Sequence, residues 1–345
     1  MILNFLAPST RHPVGGNAVV YEFATEMARR GHTVHFFHHE LFGGDAVASL
    51  NEIGWYTFRE PLIHHFMTSG PATPEEIPTA DIFFGYSTMV EEHPRIGLPV
   101  CWIQGYRMYP DDRELENFRK PCPKICIAEW LVDVAIDHQV PAEQLIHISN
   151  AIDHRRFPLS RPIDGRPAQV SFCYNAHPMK GAALALEVLE DLHDRRPDVP
   201  IVGFGTKVPK KPLPEWIEFH ESPDQHVLAQ EIYNRSSIFL WTSEVEGFGL
   251  PAVEAMACGA ALVTTNNGGS RDFAFADQTA LTADYPERSG LLNQVTRLLD
   301  DESLRSRIAH AGRNHAATLS WERCGDQLED FLGRYRAAPT EFGRP

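Results

Sequence analysis

The chain has 345 residues, 43% of them hydrophobic and 22% charged, with a formal net charge of −15. That length exceeds one ordinary core and suits two domains of common size. The acidic balance argues against a nucleic-acid partner, and ten Lys+Arg against 19 Asp+Glu in residues 1–150 leave membrane contact at most peripheral.

No run of 18 apolar residues is present to cross a bilayer, the start Met-Ile-Leu-Asn-Phe-Leu-Ala-Pro reads as a strand and not a secretory leader, and the expected compartment is the cytoplasm. Ile2 to Leu6 forms that first strand. The loop Ala7 to Asn17 holds Pro8, Pro13, Gly15 and Gly16, and a helix follows from Ala18 to Arg30, with Val19, Phe23 and Met27 at spacings of four and Gly31 as its stop. Thr33 to Phe37 is the second strand, so the chain opens as a doubly wound nucleotide-binding domain opens. Gly-x-Gly-x-x-Gly is missing, which disfavours a dinucleotide. Asp81 to Gly85, Pro99 to Ile103 and Lys124 to Ala128 read as further buried strands, the last of them closing this half, with a helix from Trp130 to His138. Ten of the 17 histidines lie in this half, and the pairs His38-His39 and His64-His65 lack the helical spacing of a metal site, so most read as surface or lightly buried imidazoles. The six cysteines are scattered and read as reduced structural thiols.

Pro158 to Pro167 is rich in Pro, Arg and Gly and reads as a linker. It separates a first domain at 1–158 from a second at 168–320, and the helix opening the tail 321–345 is expected to cross back onto the first. In the second domain Val170 to Tyr174 is a strand, Asn175 to Gly181 a loop, and Ala182 to Arg195 a helix. Strands at Pro200 to Phe204 and Trp216 to His220 precede a helix at Ala229 to Arg235. Ile238 to Trp241 is a short apolar strand, and Glu246 to Leu250 is a loop in which Gly247 and Gly249 let the backbone approach a ligand. Pro251 suits the first turn of a helix over Ala252 to Cys258, and Gly259 stops it. A helix start presents unpaired amides and partial positive charge, which favour an anion such as a diphosphate. Glu246 and Glu254, with seven residues between them, bracket that position as acceptor-only groups suited to sugar and ribose hydroxyls. Ala261 to Thr264 is the next strand, and helices at Ser289 to Leu299, Glu302 to His315 and Trp321 to Arg336 close the chain.

Glu-Gly-Phe-Gly-Leu-Pro followed by Val-Glu-Ala-Met-Ala-Cys-Gly resembles the paired-glutamate signature of glycosyltransferase family 4, retaining nucleotide-sugar enzymes of the GT-B fold. Lys180-Gly181, Asn267-Gly268-Gly269 and the junction Asn150-Ala151-Ile152-Asp153 are similar to further motifs of that family, with Ala151 in place of a glycine and Asn175 in place of an arginine. The resemblance implies an α/β protein of two doubly wound Rossmann-like domains facing a central cleft. It implies that Glu246 touches the donor sugar, that the amides of Phe248, Gly249 and Leu250 hold sugar and diphosphate, and that Glu254 binds the ribose. Lys180 would contact the diphosphate, Gly16 would approach the donor phosphates, and the loop Glu221 to Gln225 would hold the nucleobase through its backbone. Tyr86, Gln104 and Tyr106 are the acceptor-side candidates, since Tyr86 stands where many relatives carry a histidine.

Transfer of a hexosyl group from a nucleoside diphosphate sugar to the hydroxyl of a sugar or glycoconjugate acceptor follows, with retention. No Asp-x-Asp occurs, so no metal and no cofactor is expected, and positive charge must come from Lys180 and oriented amides. A sugar-nucleotide epimerase and a non-catalytic nucleotide-sugar-binding protein are the alternatives; the first needs its own acid/base pair, and intact Glu246, Lys180 and Glu254 count against the second.

Overall fold

Short apolar strands, rich in β-branched and aromatic residues, line up in parallel in two separate sheets. The structure, a computed structural model, describes residues 1–39, 47–67, 73–85, 93–107, 113–209 and 211–343. The chain divides into two units, Met1–Asn150 with Trp321–Pro345, and Ala151–Ser320. The division falls ahead of Pro158, because the segment after Asn150 folds with the second unit. No described helix is long and apolar enough to cross a membrane.

The first unit contains β1 (Ile2–Pro8), α1 (Gly15–Arg29), β2 (Thr33–His39), β3 (Ile63–Phe66), β4 (Ile82–Phe84), β5 (Leu98–Ile103), α2 (Arg113–Arg119), β6 (Lys124–Cys126), α3 (Glu129–Asp137) and β7 (Leu145–His147). Its sheet runs β3-β2-β1-β4-β5-β6-β7, all parallel. Two strands depart from expectation. β3 is Ile-His-His-Phe, whose polar centre hides its pairing on β2, and β7 lies just ahead of the stretch that reads from sequence as the domain junction, so Lys124–Cys126 is not the last strand. Helix α1 begins three residues earlier than its apolar repeat, at Gly15, which puts Gly16 in its first turn.

The second unit contains β8 (Val170–Cys173), α4 (Ala182–Arg195), β9 (Ile201–Gly205), β10 (Ile217–Glu221), a π-helical segment Val227–Tyr233, β11 (Ile238–Trp241), α5 (Leu250–Ala257), β12 (Ala261–Thr265), β13 (Ala280–Ala283), α6 (Arg288–Asp300) and α7 (Glu302–Ala316). Its order is β10-β9-β8-β11-β12-β13, again parallel. The final helix, α8 (Trp321–Ala337), belongs to the first unit. There Arg30 of α1 reaches Asp326 and Glu329 at 2.7 and 2.9 Å, and Trp321 packs edge-on against Phe23.

Pro158 to Pro167 is not a free linker. Arg166, 6% exposed, donates to the carbonyls of Pro162, Ser236, Arg161 and Cys258, so one guanidinium closes the end of α5 and pins the segment to the second unit. Asn234 completes the attachment by accepting from Ser160 N at 2.8 Å and donating to Pro158 O at 2.9 Å.

Of the paired histidines, His39, His64 and His65 are the partly buried rings expected, and His38 departs by being buried. On one face of β2 and β3, Tyr21 donates to Ser9 Oγ at 2.7 Å, Ser9 Oγ meets His38 Nδ1 at 2.7 Å, and His38 Nε2 meets His64 Nδ1 at 2.9 Å. One set of tautomers satisfies every atom if Ser9 donates to His38 and His38 to His64. On the opposite face His35 and His65 pair at 3.0 Å. Burial first, then the neighbouring imidazoles, push His38 down to about 3. The folded unit therefore favours the neutral ring, whose stabilisation is complete above the unfolded value of about 6.5 and is lost as pH falls toward 3. Between pH 8 and pH 5 this histidine alone should lower stability by about 2 kcal/mol. Melts should show that loss for the native chain and a reduced one for His38→Gln; a ring at 38 that titrates near pH 6.5 by NMR would contradict it.

Candidate functional site

In the second unit the chain winds outward from β8 to β10 and then, in the other direction, from β11 to β13. The order reverses between adjacent strands β8 and β11, and the crevice beyond their C-terminal ends is where such sheets bind ligands. Two loops build it. After β8, Asn175 Oδ1 accepts from His177 N at 2.9 Å and His177 Nδ1 accepts from Met179 N at 3.3 Å, shaping the turn that carries Lys180. Gly181 then takes φ +64°, and a Cβ there would lie 1.9 Å from the Thr242 carbonyl oxygen. Thr242 Oγ1 donates to Gly181 O at 2.9 Å, so the loop after β8 is fastened to the loop after β11.

That fastening sets the charged centre. Lys180 Nζ lies 2.6 Å from Glu246 Oε2, and Ser243 Oγ donates to Glu246 Oε1 at 2.7 Å. Both carboxylate oxygens are thus occupied on a residue 5% exposed. The backbone is fixed as well, since Glu246 N donates to Asn267 O at 2.9 Å and Glu246 O accepts from Gly269 N at 3.2 Å. Gly269 is required sterically: a Cβ there would meet Phe248 O at 2.4 Å.

Helix α5 starts beside this centre. Gly249, at φ +109°, is its N-cap, and the amides of Ala252 and Val253 both return to Gly249 O. Pro251 has no amide hydrogen, so helix geometry leaves the Leu250 amide at the positive end of the helix. The Phe248 ring is buried edge-on against Phe273, which leaves its backbone, and not its ring, for a ligand. Four residues into the helix, Glu254 Oε2 accepts from Tyr233 OH at 3.0 Å. Glu254 is packed deeply but keeps a solvent-facing edge. Burial pushes it up to about 7, against the downward pull of the Tyr233 bond and the charge of Arg156. Cys173, the last residue of β8, feels Glu246, Glu254 and Lys180, and burial pushes its thiol up to about 12.

The structure therefore brings Lys180 and Glu246 into contact, with Phe248, Gly249, Leu250 and Glu254 on the same loop and helix. Within the first unit it brings Gln104 to Gly16, where Gln104 Nε2 donates to Gly16 O at 3.3 Å. Tyr106 is engaged elsewhere, with His138 Nε2 at 3.0 Å and an edge-on contact to Phe118. Tyr86 lies outside the described residues. Sequence reasoning missed Ser243 and Tyr233, the two hydroxyls that hold the carboxylates. Ser243 stands three residues before Glu246 and could have been noticed; nothing in the linear spacing points to Tyr233. Among the described residues no group of three or more His, Cys, Asp or Glu side chains could hold a metal ion.

Two parallel Rossmann-like units, the second with a helix start and two held carboxylates at its switch point, define a GT-B architecture. Solved structures agree on the fold. Alr3699/HepE of Anabaena, in complex with UDP-glucose, superposes with a TM-score of 0.76 at 16% identity over 97% of this chain and all of that one. Sucrose-phosphate synthase of Thermosynechococcus elongatus gives 0.74 at 16% identity over 98% and 99%. Residues 155–315, a little under half of the chain, match the family Glycosyl transferases group 1. The D-inositol 3-phosphate glycosyltransferase of Corynebacterium urealyticum is 27% identical over 207 residues, 55% of this chain and 47% of that protein. The capsular polysaccharide biosynthesis glycosyltransferase CapM of Staphylococcus aureus is 29% identical over 105 residues, 29% of this chain and 28% of that protein. The match thus spans about half or less of these curated relatives.

The contact between Gly181 and Thr242 makes a direct stability prediction. Gly181→Ala combines a left-handed backbone with a backbone overlap and should cost more than about 2 kcal/mol in thermal or denaturant unfolding. Gly333→Ala in α8, where nothing lies within 4 Å of the new Cβ, should instead be neutral or stabilising by up to about 1 kcal/mol. Equal melting temperatures for the two variants would contradict the described packing.

Proposed function

We propose that the protein is a retaining glycosyltransferase of family 4 type that moves a hexosyl group from a nucleoside diphosphate sugar to a sugar or glycoconjugate hydroxyl, in the cytoplasm and in glycan or glycoconjugate biosynthesis. The observation that carries this reading is the Lys180–Glu246–Ser243 clasp at the switch point, beside the start of α5. An ammonium makes three hydrogen bonds. Lys180 can keep Glu246 and still offer two donors to a diphosphate, while the remaining lone pairs of Glu246 accept from a sugar hydroxyl. The Leu250 amide faces the same anion, and Glu254, held by Tyr233, takes the ribose hydroxyls. The bond between the anomeric carbon and the phosphate oxygen breaks as a bond to the acceptor oxygen forms on the same face. The acceptor proton passes to the departing phosphate oxygen, and a nucleoside diphosphate leaves. Lys180 and the helix amides supply the positive charge, so the reaction requires no divalent metal.

Thermal shift with UDP, GDP, ADP and dTDP, followed by transfer assays with the matching donors, tests the reading. A nucleotide at 100 times its dissociation constant should stabilise the protein by about 2.7 kcal/mol. UDP is the first candidate, because a structural neighbour is described in complex with UDP-glucose. The product should keep the donor's anomeric configuration by NMR, and EDTA should leave turnover standing. Inversion, or loss of turnover that only magnesium or manganese restores, would reject the mechanism; failure of all four nucleotides to bind would reject the site.

Lys180→Gln separates transition-state from ground-state binding. Turnover should fall about 100 to 1,000-fold, with a smaller change in donor dissociation constant. Because Glu246 would lose a buried partner, Lys180→Gln/Glu246→Gln is the companion that tells instability from lost chemistry. Near-normal turnover in Lys180→Gln would leave the helix amides as the sole anion site.

A further inference from the structure

Arg156 follows the junction Ala151-Ile152-Asp153 and has no role in the reading above. Its Nε and Nη2 both donate to Gln225 Oε1, at 3.0 and 2.7 Å, and Gln225 Nε2 donates back to Arg156 O at 2.9 Å. Three hydrogen bonds therefore lock the Gln225 side chain to Arg156, two to its guanidinium and one to its backbone carbonyl, and both ends of the Gln225 amide are used in doing so. Gln225 ends the loop expected to hold the nucleobase. Its neighbour Asp224 accepts from Val227 N at 2.8 Å, at the start of the π-helical segment that ends in Tyr233. The next residue after Arg156, Phe157, packs its ring on Tyr233 with centroids 6.0 Å apart, and Tyr233 holds Glu254. The junction segment thus grips the nucleoside end of the crevice at two points.

We propose that Arg156 is a positioning residue for that nucleoside end: it ties the loop at Gln225 to the junction segment, and its guanidinium is the positive charge on the side of Glu254, the candidate acceptor for ribose hydroxyls. The proposal rests on the nucleotide-sugar reading and deepens it. Two groups act on Glu254, Tyr233 from the π-helical segment and Arg156 from the junction, and Glu254 in turn acts on the neighbouring thiols of Cys173 on β8 and Cys258 beyond α5. Tyr233 donates a hydrogen bond, the two thiols are held neutral by burial, and Arg156 contributes the charge that opposes the upward push on Glu254. Removing that charge must let Glu254 take a proton at higher pH.

The test is calorimetric titration of UDP between pH 6.5 and 9 for the native chain, Arg156→Met, Arg156→Lys and Glu254→Gln. UDP has its own phosphate titration, which persists in Glu254→Gln and serves as the baseline. Relative to it, native binding should weaken as Glu254 gains its proton near pH 7, and Arg156→Met should move that midpoint up by about half a unit or more, with a loss of about twofold or more at neutral pH. Arg156→Lys keeps the charge without the fork, so its midpoint should return toward native while a pH-independent loss remains. The same midpoint in Arg156→Met and the native chain overturns the proposal, as does native-like UDP binding by Arg156→Lys at every pH, which would leave the fork to Gln225 without a role. If UDP, GDP and ADP all fail to bind the native chain, the nucleotide reading falls on its own. Arg156 is then judged by the carboxyl titration of 13C-glutamate protein, with Glu254→Gln as the assignment blank, and an unmoved Glu254 signal in Arg156→Met overturns the charge assignment.

Discussion

The approach of Gly181 to the Thr242 carbonyl is the constraint on which the crevice of the second unit depends. Only a residue without Cβ, in a left-handed conformation, lets the loop after β8 lie against the loop after β11. The consequence is chemical as well as steric. Lys180 and Ser243, each next to one of the two touching residues, are delivered to opposite oxygens of Glu246. A carboxylate this deeply placed would be costly alone, and its ammonium and hydroxyl partners make it tolerable. Such a pair is a poor source of net stability. Its value lies in register, since one arrangement satisfies all the groups and alternatives leave a buried charge without a partner.

The two glutamates of the central stretch are alike in sequence and unlike in surroundings. Glu246 meets an ammonium and a serine hydroxyl, and its backbone is paired on both sides to the Asn267–Gly269 loop. Glu254 meets a buried phenol and a more distant guanidinium, and burial lifts its pKa to about 7. Environment therefore separates two carboxylates that spacing alone cannot tell apart. Under the proposed reading the difference fits the tasks: a carboxylate clasped to Lys180 that accepts from the donor sugar, and a tunable acceptor at the ribose.

Local sequence carried much of this architecture. Parallel strands buried on both faces announce themselves as apolar runs, as Ile238 to Trp241 does, and the glycine loop before α5 is visible because Gly249 and Pro251 are positional. Strands that do not keep to that pattern were lost. Ile63–Phe66 carries two histidines whose partners, His35 and His38, lie on the neighbouring strand, so the polar residues satisfy one another only after pairing. Ala280–Ala283 is too short and too bland to stand out. The hydroxyls of Ser243 and Tyr233 were illegible for a different reason. Their role is defined by which carboxylate oxygen they reach, and that is set by the contact of two loops and by a π-helical segment, neither of which has a linear signature.

Composition misled most clearly at Pro158 to Pro167, where Pro, Arg and Gly suggest a flexible connector. A guanidinium can satisfy several backbone carbonyls at once, and Arg166 does so at the ends of α5 and of the π-helical region. The segment is thereby part of the second unit's underside. Docking it has a further effect upstream. Ile152 N donates to Leu319 O, and His154 meets the same carbonyl, so the unit's first and last residues are joined. Between those two anchors Ala151 to Phe157 has little freedom, and Arg156 is held where it can clasp Gln225. A stretch that looks like a tether between domains is on this argument a fixed wall of one of them, and its charged side chain stands closer to the candidate chemistry than its place in the sequence suggests.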